Sequence, residues 1–334
     1  MSPLKHNDFV IGVASDRGQR RKRNEDAYGH PRQSDRDRAG ERGYIYAPNA
    51  EAGLYLVADG VGSSEEGQIA SAKAVRTVIE AYYRAASTST TEREDFQLER
   101  ALQEANQALC TFSTQAGVTA STTLVALLYT HARVLIANVG DSRAYRLHEN
   151  TIELLTQDHS MRAELLQSGA VSQEESLQIP DNWITRSLGR GTELIPDIFE
   201  VEFAAQDRFV LCTDGLTRHV HEAEILDTIK QHKDPQRAAQ ALVELANQRG
   251  GKDNITVMIL QPRSLRQRSN LSLPQIAQAI ALLGLLTTLF WVLIKTPVFE
   301  RDSDILATPS SSPTAPLPST SPLQSPPSLP TLDE

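Results

Sequence analysis

Cysteine is scarce in this sequence, with two residues in a chain of 334. Cys110 lies in a helical pattern and Cys212 in a strand pattern, without the short spacing of a zinc knuckle, and two cysteines are too few for a disulfide framework. The sequence therefore predicts two buried free thiols in a reducing compartment. The eight histidines also lack the spacing of a metal-binding pair, so oxygen atoms are the candidate metal ligands.

An excess of positive charge is absent as well. Lysine and arginine number 33 against 42 aspartates and glutamates, which gives a formal net charge of −9. The body of the chain has no basic block dense enough to bind a phosphate backbone, so nucleic acid is excluded as the main partner. The sequence also contains no Walker-type nucleotide loop and no Gly-x-Ser-x-Gly elbow. It shows no secretory signal, because only a short apolar run, residues 9–14, precedes Asp16. We expect the N-terminus to stay in the cytoplasm.

The 40% of hydrophobic residues are enough for a sizeable core. Apolar positions at helical spacing predict two amphipathic helices, the second over residues 98–112. The core face predicted for the first helix consists of Ile69, Ala72, Val75, Ile79 and Tyr82. From residue 121 onwards, the β-rich runs 122–129, 133–139, 143–148 and 151–155, separated by turn residues, predict an antiparallel meander.

Five aspartates lie where a predicted strand meets a loop: Asp26, Asp59, Asp141, Asp214 and Asp253. Two of them are followed by glycine at the end of an apolar strand, although Asp-Gly after a strand is also an ordinary turn. If the five carboxylates converge, their mutual repulsion requires cations, and an all-oxygen set selects hard ions such as Mg²⁺ or Mn²⁺. Two such ions would make a hydrolytic site for phosphoryl groups.

A basic run, Arg-Arg-Lys-Arg at residues 20–23, leads into Glu25 and Asp26. It is either a solvated charged loop or an anion site, whose guanidinium groups would bind a phosphate beside metal-binding carboxylates.

Five short motifs follow one another along residues 9–262. They are Ser15-Asp16-x-Gly18-x-x-Arg21-x-x-Asn24-Glu25-Asp26, Val57-Ala58-Asp59-Gly60-Val61-Gly62, Val139-Gly140-Asp141-Ser142-Arg143, Leu211-Cys212-Thr213-Asp214-Gly215-Leu216 and Gly251-Lys252-Asp253-Asn254-Ile255-Thr256. In order and spacing they resemble the motifs of the metal-dependent type 2C (PPM) serine/threonine protein phosphatases, bacterial type. The resemblance implies an α+β fold, a four-layer α-β-β-α sandwich in which helices flank two central antiparallel β-sheets.

The resemblance also implies a metal-binding role for five residues. Asp59 would bridge two metal ions, Mg²⁺ or Mn²⁺, and the Gly60 carbonyl would bind one of them. Asp214 and Asp253 would complete the other site. Asp141 together with Asp214 would form a third, weaker site.

Two further residues would take part in catalysis by the same resemblance. Asp26 would hold a water bound to a metal, and Arg21 would bind the substrate phosphate. The segment 158–188 would be a flap near the third metal, a region that the family uses to discriminate between substrates. Its candidate residues are Asp158, His159, Thr185 and Arg186.

The sequence departs from the family directly after Asp59-Gly60. Bacterial relatives usually read Asp-Gly-Met-Gly-Gly-His, whereas Val61, Ser63 and Ser64 stand in place of the Met, the second Gly and the His. The leaving group would then take its proton from metal-bound water or from another group. We predict an enzyme that hydrolyses phosphoserine and phosphothreonine on cytoplasmic proteins in signalling, with serine/threonine kinases and their substrates as partners. The alternative is a pseudophosphatase, a membrane-tethered module that binds phosphoproteins.

Beyond residues 1–262, the predicted catalytic domain, the composition changes. Residues 263–273 are a basic linker, 274–295 an apolar run long enough for one transmembrane helix, and 296–334 a Pro/Ser-rich tail predicted to be disordered. Because Arg263, Arg266 and Arg268 precede the apolar run, the positive-inside rule places the catalytic domain in the cytoplasm, tethered to the inner membrane by a single pass through the lipid bilayer. A soluble enzyme whose C-terminal helix pairs with another protein is the alternative.

Overall fold

The computed structural model describes residues 9–31, 43–46, 52–61, 65–88, 93–130, 133–180, 183–204, 206–262 and 281. The chain divides into two units between Asn270 and Leu271, and every described residue except Ala281 belongs to the first. Apart from Ala281, the predicted linker, transmembrane segment and tail lie outside the described residues. Within the described ranges, no helix combines the length and the apolar character needed to cross a bilayer.

Twelve strands occur in the described part of the first unit. They are β1 (Phe9–Asp16), β2 (Asp26–Pro31), β3 (Gly43–Tyr46), β4 (Gly53–Val61), β5 (Ser121–Thr122), β6 (Leu124–Thr130), β7 (Arg133–Val139), β8 (Arg143–His148), β9 (Thr151–Leu154), β10 (Asp197–Val201), β11 (Arg208–Cys212) and β12 (Ile255–Pro262). The four predicted β-rich runs correspond to β6–β9, which confirms them as strands. The prediction that they form one antiparallel meander is wrong, because β6 pairs with β7 in one sheet and β8 pairs with β9 in the other.

The same part of the chain contains seven helices. They are α1 (Glu65–Thr88), α2 (Glu94–Ala116), α3 (Met161–Gln167), α4 (Gln173–Ser176), α5 (Asp214–Thr217), α6 (Glu222–Gln231) and α7 (Pro235–Gln248). Helix α7 shows how the sequence sets a helix boundary. The Asp234 side chain accepts a hydrogen bond from the Gln236 N–H at its start, where Pro235 needs no partner for a backbone N–H.

The strands form two sheets. One has five strands in the order β1-β12-β11-β8-β9, and the other has the order β10-β7-β6-β4-β2-β3 with β5 paired to β4. All neighbours are antiparallel except β2 and β3, which run parallel with Tyr28 opposite Gly43. The prediction of purely antiparallel sheets is therefore wrong at this edge, where two strands that follow one another in the chain run in the same direction.

Alternation along β4 produces the layers of the sandwich. Leu54 and Leu56 pack against the cluster formed with α1 and α2, whereas Tyr55 and Val57 point into the core between the two sheets. A third apolar cluster joins the five-stranded sheet to α6 and α7. These contacts confirm an α+β sandwich with helices on both outer faces.

The predicted core face of helix α1 is confirmed at Val75, Ile79 and Tyr82, which are buried, and is wrong at the N-terminal end of the helix. Ile69 and Ala72 are exposed, while Ala70 and Ala74 are fully buried. The helix packs on β4 and β2 on one side and on α2 on the other, and alanine lets these backbones approach closely. Alanine contributes little to a hydrophobic pattern, which is why the sequence favoured the larger Ile69.

Both cysteines are free thiols, as predicted. Cys212 is fully buried in β11, but Cys110 is only half-buried, with its Sγ 3.3 Å from the Gly191 carbonyl oxygen. The prediction of burial is therefore wrong for Cys110, because it lies on the border of the face that α2 turns towards the sheet.

Candidate metal and phosphate site

Strand pairing places two of the predicted aspartates side by side. Strands β2 and β4 are antiparallel, with Asp26 directly opposite Asp59. The next residue, Gly60, donates its N–H to the Glu25 carbonyl at 3.2 Å. The backbone of Asp59 is held from the other side, where its N–H donates to Thr123 Oγ1 at 3.1 Å. The two carboxylates are thus fixed at one end of the seven-stranded sheet.

The five-stranded sheet brings a second pair to the same end of the sandwich. Asp214 follows the end of β11 and Asp253 precedes the start of β12, and these strands are antiparallel neighbours. Gly215 permits the close approach of the two segments, because a Cβ on this residue would lie 1.9 Å from the Asn254 carbonyl oxygen. Any larger residue here would push Asp214 away from Asp253.

Asp26 connects the two sheets. It is fully buried, and its Oδ2 accepts hydrogen bonds from two hydroxyls. One belongs to Thr213, directly after β11, at 3.0 Å, and the other to Thr256 in β12, at 2.7 Å. Asp141, two residues after the end of β7, is buried as well. It lines one cavity together with Asp214, which places it in the same group. The structure thus brings together all five predicted carboxylates.

The cluster disfavours its own negative charge. Burial is the main cause that raises the pKa of Asp26 to about 8, with a further contribution from Asp214 and Asp253, while its two threonine hydrogen bonds lower it. Burial, together with Asp214 and Asp158, likewise raises the pKa of Asp141 to about 8. The pKa of Asp59 lies well above its usual range because of burial and its four acidic neighbours.

The donor set fits a hard cation. Asp26 Oδ1 and Asp141 Oδ1 are both buried and have no hydrogen-bond partner within the described residues, and all the acidic groups are oxygen ligands. Within the described ranges, no group of three or more acidic, histidine or cysteine side chains is already arranged to hold a metal ion. Two arginines contact the cluster instead, so part of its charge is neutralised by the protein itself.

Arg21 is the first of these arginines. Its Nε and Nη2 each lie 2.8 Å from the Asp253 carboxylate, a two-point contact that raises the pKa of Arg21. The side chain is 37% exposed, so one face of the guanidinium group lies open to solvent at the edge of the cluster. A phosphate can reach Arg21 from this side.

The loop that carries Arg21 is tied to the start of β12. Asn254 accepts a hydrogen bond from the Glu25 N–H at 2.7 Å and donates to the carbonyls of Arg17 and Arg23 at 2.9 and 2.8 Å. Gly18 has a φ of +75°, and a Cβ here would lie 2.1 Å from the Asp253 carbonyl oxygen. The loop therefore packs directly on the segment that carries a predicted metal ligand.

The four predicted flap residues lie at the base of the flap and are anchored. Asp158 forms a two-point ion pair with Arg143, at 2.9 and 2.7 Å. His159 is 3% exposed; its Nδ1 accepts the Gly140 N–H at 3.1 Å, and its Nε2 lies 3.0 Å from Asp197 Oδ2.

Beyond them, the Thr185 N–H donates to the His159 carbonyl, and Arg186 pairs with Asp197 at 3.2 Å. His159 therefore ties the Asp141 loop to the flap. The outer flap carries the more exposed side chains, with Trp183 55% exposed.

Sequence reasoning assigned no role to four residues that the structure places in the site. Thr213, Asn254 and Thr256 stand inside the quoted motifs, so their positions were visible but their partners were not. Arg218 was missed entirely: it forms ion pairs with Asp214 and Asp253. Its place four residues after Asp214 is the helical spacing that could have revealed the first of these contacts.

The departure from the family motif lies mostly outside the described residues. Val61 is the last residue of β4, whereas residues 62–64, with the two serines, are not described.

Comparisons with known proteins give one consistent family. Residues 37–254 match the family Protein phosphatase 2C. The serine/threonine phosphatase stp of Listeria welshimeri is 36% identical over 233 residues, which cover 68% of this chain and 91% of that protein. The crystal structure of the PPM Ser-Thr phosphatase MsPP from Mycobacterium smegmatis, in complex with cacodylate, is similar with a TM-score of 0.61 and 32% identity, over 76% of this chain and 98% of that one.

A further solved structure is the catalytic domain of the serine threonine protein phosphatase PstP in complex with 2 manganese ions. It is 29% identical with a TM-score of 0.60, over 76% of this chain and 97% of that one. Each of these similarities covers between 68% and 76% of this chain and more than nine tenths of the other protein.

Proposed function

Because the chain belongs to the protein phosphatase 2C family, whose phosphatases depend on metal ions, we propose that its five clustered aspartates bind two Mg²⁺ or Mn²⁺ ions and that Arg21 binds the substrate phosphate. The protein is a serine/threonine protein phosphatase. The observation that carries the proposal for the site is the meeting of carboxylates from both sheets around the buried Asp26, at the edge that also holds Arg21.

The proposed ligands are those that the resemblance to the family implies. Asp59, the Gly60 carbonyl, Asp214 and Asp253 would hold two ions, and Asp141 would contribute to a weaker third site. The Oδ1 atoms of Asp26 and Asp141, which are buried and find no hydrogen-bond partner in the part of the chain that the structure describes, support this proposal. When bound, such ions supply a Lewis acid for the phosphoryl oxygens and an activated water for the attack on phosphorus.

The protein's own groups position the reactants. The hydroxyls of Thr213 and Thr256 fix Asp26 Oδ2, which leaves Oδ1 to hold a water in the site. Arg21 offers two parallel N–H groups, the geometry that suits a phosphate as well as the carboxylate of Asp253. The leaving serine or threonine hydroxyl takes its proton from water held in the site or from another group, since Ser64 stands where bacterial relatives usually have His.

The substrates we propose are phosphorylated cytoplasmic proteins, including serine/threonine kinases and their targets. We also propose that residues 274–295 tether the enzyme to the inner membrane, with the catalytic domain in the cytoplasm and the tail, 296–334, on the far side. The support is the sequence alone: the length of the apolar run and the three arginines that precede it.

Metal-dependent hydrolysis of a phosphothreonine peptide by the full-length chain tests the site. We expect turnover with Mn²⁺ and none with excess EDTA. Asp214→Asn should lower kcat by about a hundredfold or more, because a lost ligand weakens charge stabilisation by several kcal/mol. Asp227→Asn, at an exposed position of α6, is the matched control and should behave as the wild type.

Equal turnover in the Asp214→Asn variant would refute the ligand assignment. Absence of turnover in the wild type, with retained binding of the phosphopeptide, would favour the pseudophosphatase.

A further inference from the structure

Arg218 places a positive charge among the proposed metal ligands. It follows α5, one helical turn after Asp214, and its Nη2 forms an ion pair with Asp214 Oδ2. Its Nη1 lies 3.1 Å from Asp253 Oδ2. The side chain is 24% exposed, so these contacts are only partly screened by water. Arg218 is therefore shared between two carboxylates that belong to different segments of the chain.

The contacts of Arg218 differ from those of Arg21 in one respect. Arg21 contacts Asp253 from the solvent edge, whereas Arg218 joins Asp253 to Asp214. Its charge extends to Asp141, where it opposes the rise in the pKa of that carboxyl group. A metal ion bound at Asp214 and Asp253 would compete with Arg218 for the negative charge and the lone pairs of Asp214 Oδ2 and Asp253 Oδ2, and a dication beside the guanidinium group would repel it.

Space for a displaced guanidinium group lies next to the cluster. Arg218 lines a cavity of about 280 Å³ together with Asp141, Asp158 and Asp214. Asp158 on its wall is already engaged by Arg143. A side chain that leaves Asp214 and Asp253 can therefore stay in this cavity, where Asp158 is an acidic group outside the proposed metal ligands.

We propose that Arg218 is an internal counter-cation, which holds Asp214 and Asp253 together in the metal-free protein and is displaced when metal binds. The inference rests on the proposed function of the cluster as a metal site. Metal binding must break the ion pairs of Arg218 with Asp214 and Asp253. Arg218 therefore lowers the affinity for the metal and raises the metal concentration at which the phosphatase becomes active. It is a positioning residue for the ligands rather than a catalytic residue.

Calorimetric titration of the full-length, metal-stripped protein with Mn²⁺ tests this proposal. We expect Arg218→Gln to bind Mn²⁺ about tenfold more tightly than the wild type, within the usual range of coupling between two binding events. In EDTA the same variant should unfold at a lower temperature, and saturating Mn²⁺ should restore the wild-type unfolding temperature. Arg218→Lys keeps the charge but loses the two-armed contact, so its Mn²⁺ affinity should lie between the two.

The matched control is Arg249→Gln. Arg249 pairs with Glu224 on the surface and donates to the His219 carbonyl, so its loss should leave the Mn²⁺ affinity unchanged. Equal or weaker Mn²⁺ binding by Arg218→Gln would overturn the proposal; if that variant does not fold in EDTA, Arg218→Lys decides in the same way. Hydrolysis of p-nitrophenyl phosphate in saturating Mn²⁺ distinguishes failure of the Arg218 proposal from failure of the proposed metal site. A wild-type protein that neither binds Mn²⁺ nor hydrolyses this substrate would refute the metal site itself.

Discussion

Among single residues, Asp26 has the surroundings that most directly link charge to stability. Its carboxyl group is fully buried and its pKa is raised to about 8, so in the metal-free protein it keeps its proton at pH values where the unfolded chain releases it. The folded state then binds more protons than the unfolded state between the two pKa values. By linkage, this contribution to stability is complete below the unfolded pKa of 3.8 and is lost as the pH rises towards about 8.

We therefore predict that the free energy of unfolding of the metal-free protein falls as the pH rises from about 5 to about 8. The slope should be about 1.4 kcal/mol per pH unit for each retained proton, and Asp59 and Asp141 add to it because their pKa values are raised too. Asp26→Asn should reduce the slope, whereas Asp227→Asn should not. Urea unfolding in EDTA at several pH values measures this; a stability that is constant or rises over this range would contradict the prediction.

Among the structural elements, the loop between β1 and β2 depends most on a distant partner. Its backbone is held by the Asn254 side chain at the start of β12, through the Glu25 N–H and the carbonyls of Arg17 and Arg23. A buried amide with three backbone hydrogen bonds fixes the loop conformation, and Arg21 lies inside this loop. The position of the guanidinium group is therefore decided by a residue next to Asp253.

Asn254→Ala should raise KM for a phosphopeptide with a smaller effect on kcat, because Arg21 becomes less well positioned for binding. We also expect it to lower the free energy of unfolding by about 1–3 kcal/mol, the cost of leaving backbone groups unsatisfied. Steady-state kinetics and urea unfolding measure the two effects.

The control for this prediction is Gln236→Ala. Its side chain makes a similar pair of hydrogen bonds to the N–H and carbonyl of Val13, away from the Arg21 loop. It should lose stability without the change in KM. An unchanged KM in Asn254→Ala would show that the loop keeps Arg21 in place without this clamp.

At the scale of the whole molecule, the described structure explains the packing of the catalytic sandwich, whereas predictions for the C-terminal region rest on the sequence. The apolar clusters between the sheets and under both helix layers bury the hydrophobic faces of the described strands and helices. The apolar run at residues 274–295 belongs to the second unit. An apolar run of this length is long enough to span a bilayer as one helix.

We predict that the full-length protein sediments with membranes and is released by detergent but not by high salt. Leu285→Asp with Leu286→Asp should move it to the soluble fraction, because each charge near the centre of a span costs about 2.5–3.5 kcal/mol. The paired control, Leu317→Asp with Leu323→Asp in the Pro/Ser-rich tail, should remain in the membrane fraction. Release of the wild type by salt would favour a C-terminal helix that pairs with another protein.

Much of the fold and of the site follows from local sequence. Local residue patterns predict the β-rich runs, the helices and the aspartates at strand ends, because alternation, helix capping and glycine positions depend on only a few neighbouring residues. The aspartates could be read from these local patterns, whereas the sandwich was predicted from the resemblance of five ordered motifs to a known family. The local sequence did not predict the contacts of these carboxylates with other side chains.

Only the tertiary structure decided which side chains meet. Thr256 donates to Asp26 across 230 residues of sequence, Arg218 joins Asp214 to Asp253, and β3 pairs parallel to β2. Such contacts depend on which strands lie side by side and on where the two sheets meet, and no local pattern carries that information. The acidic residues were visible in the sequence, but the balance of their charge depends on groups that folding brings from distant parts of the chain.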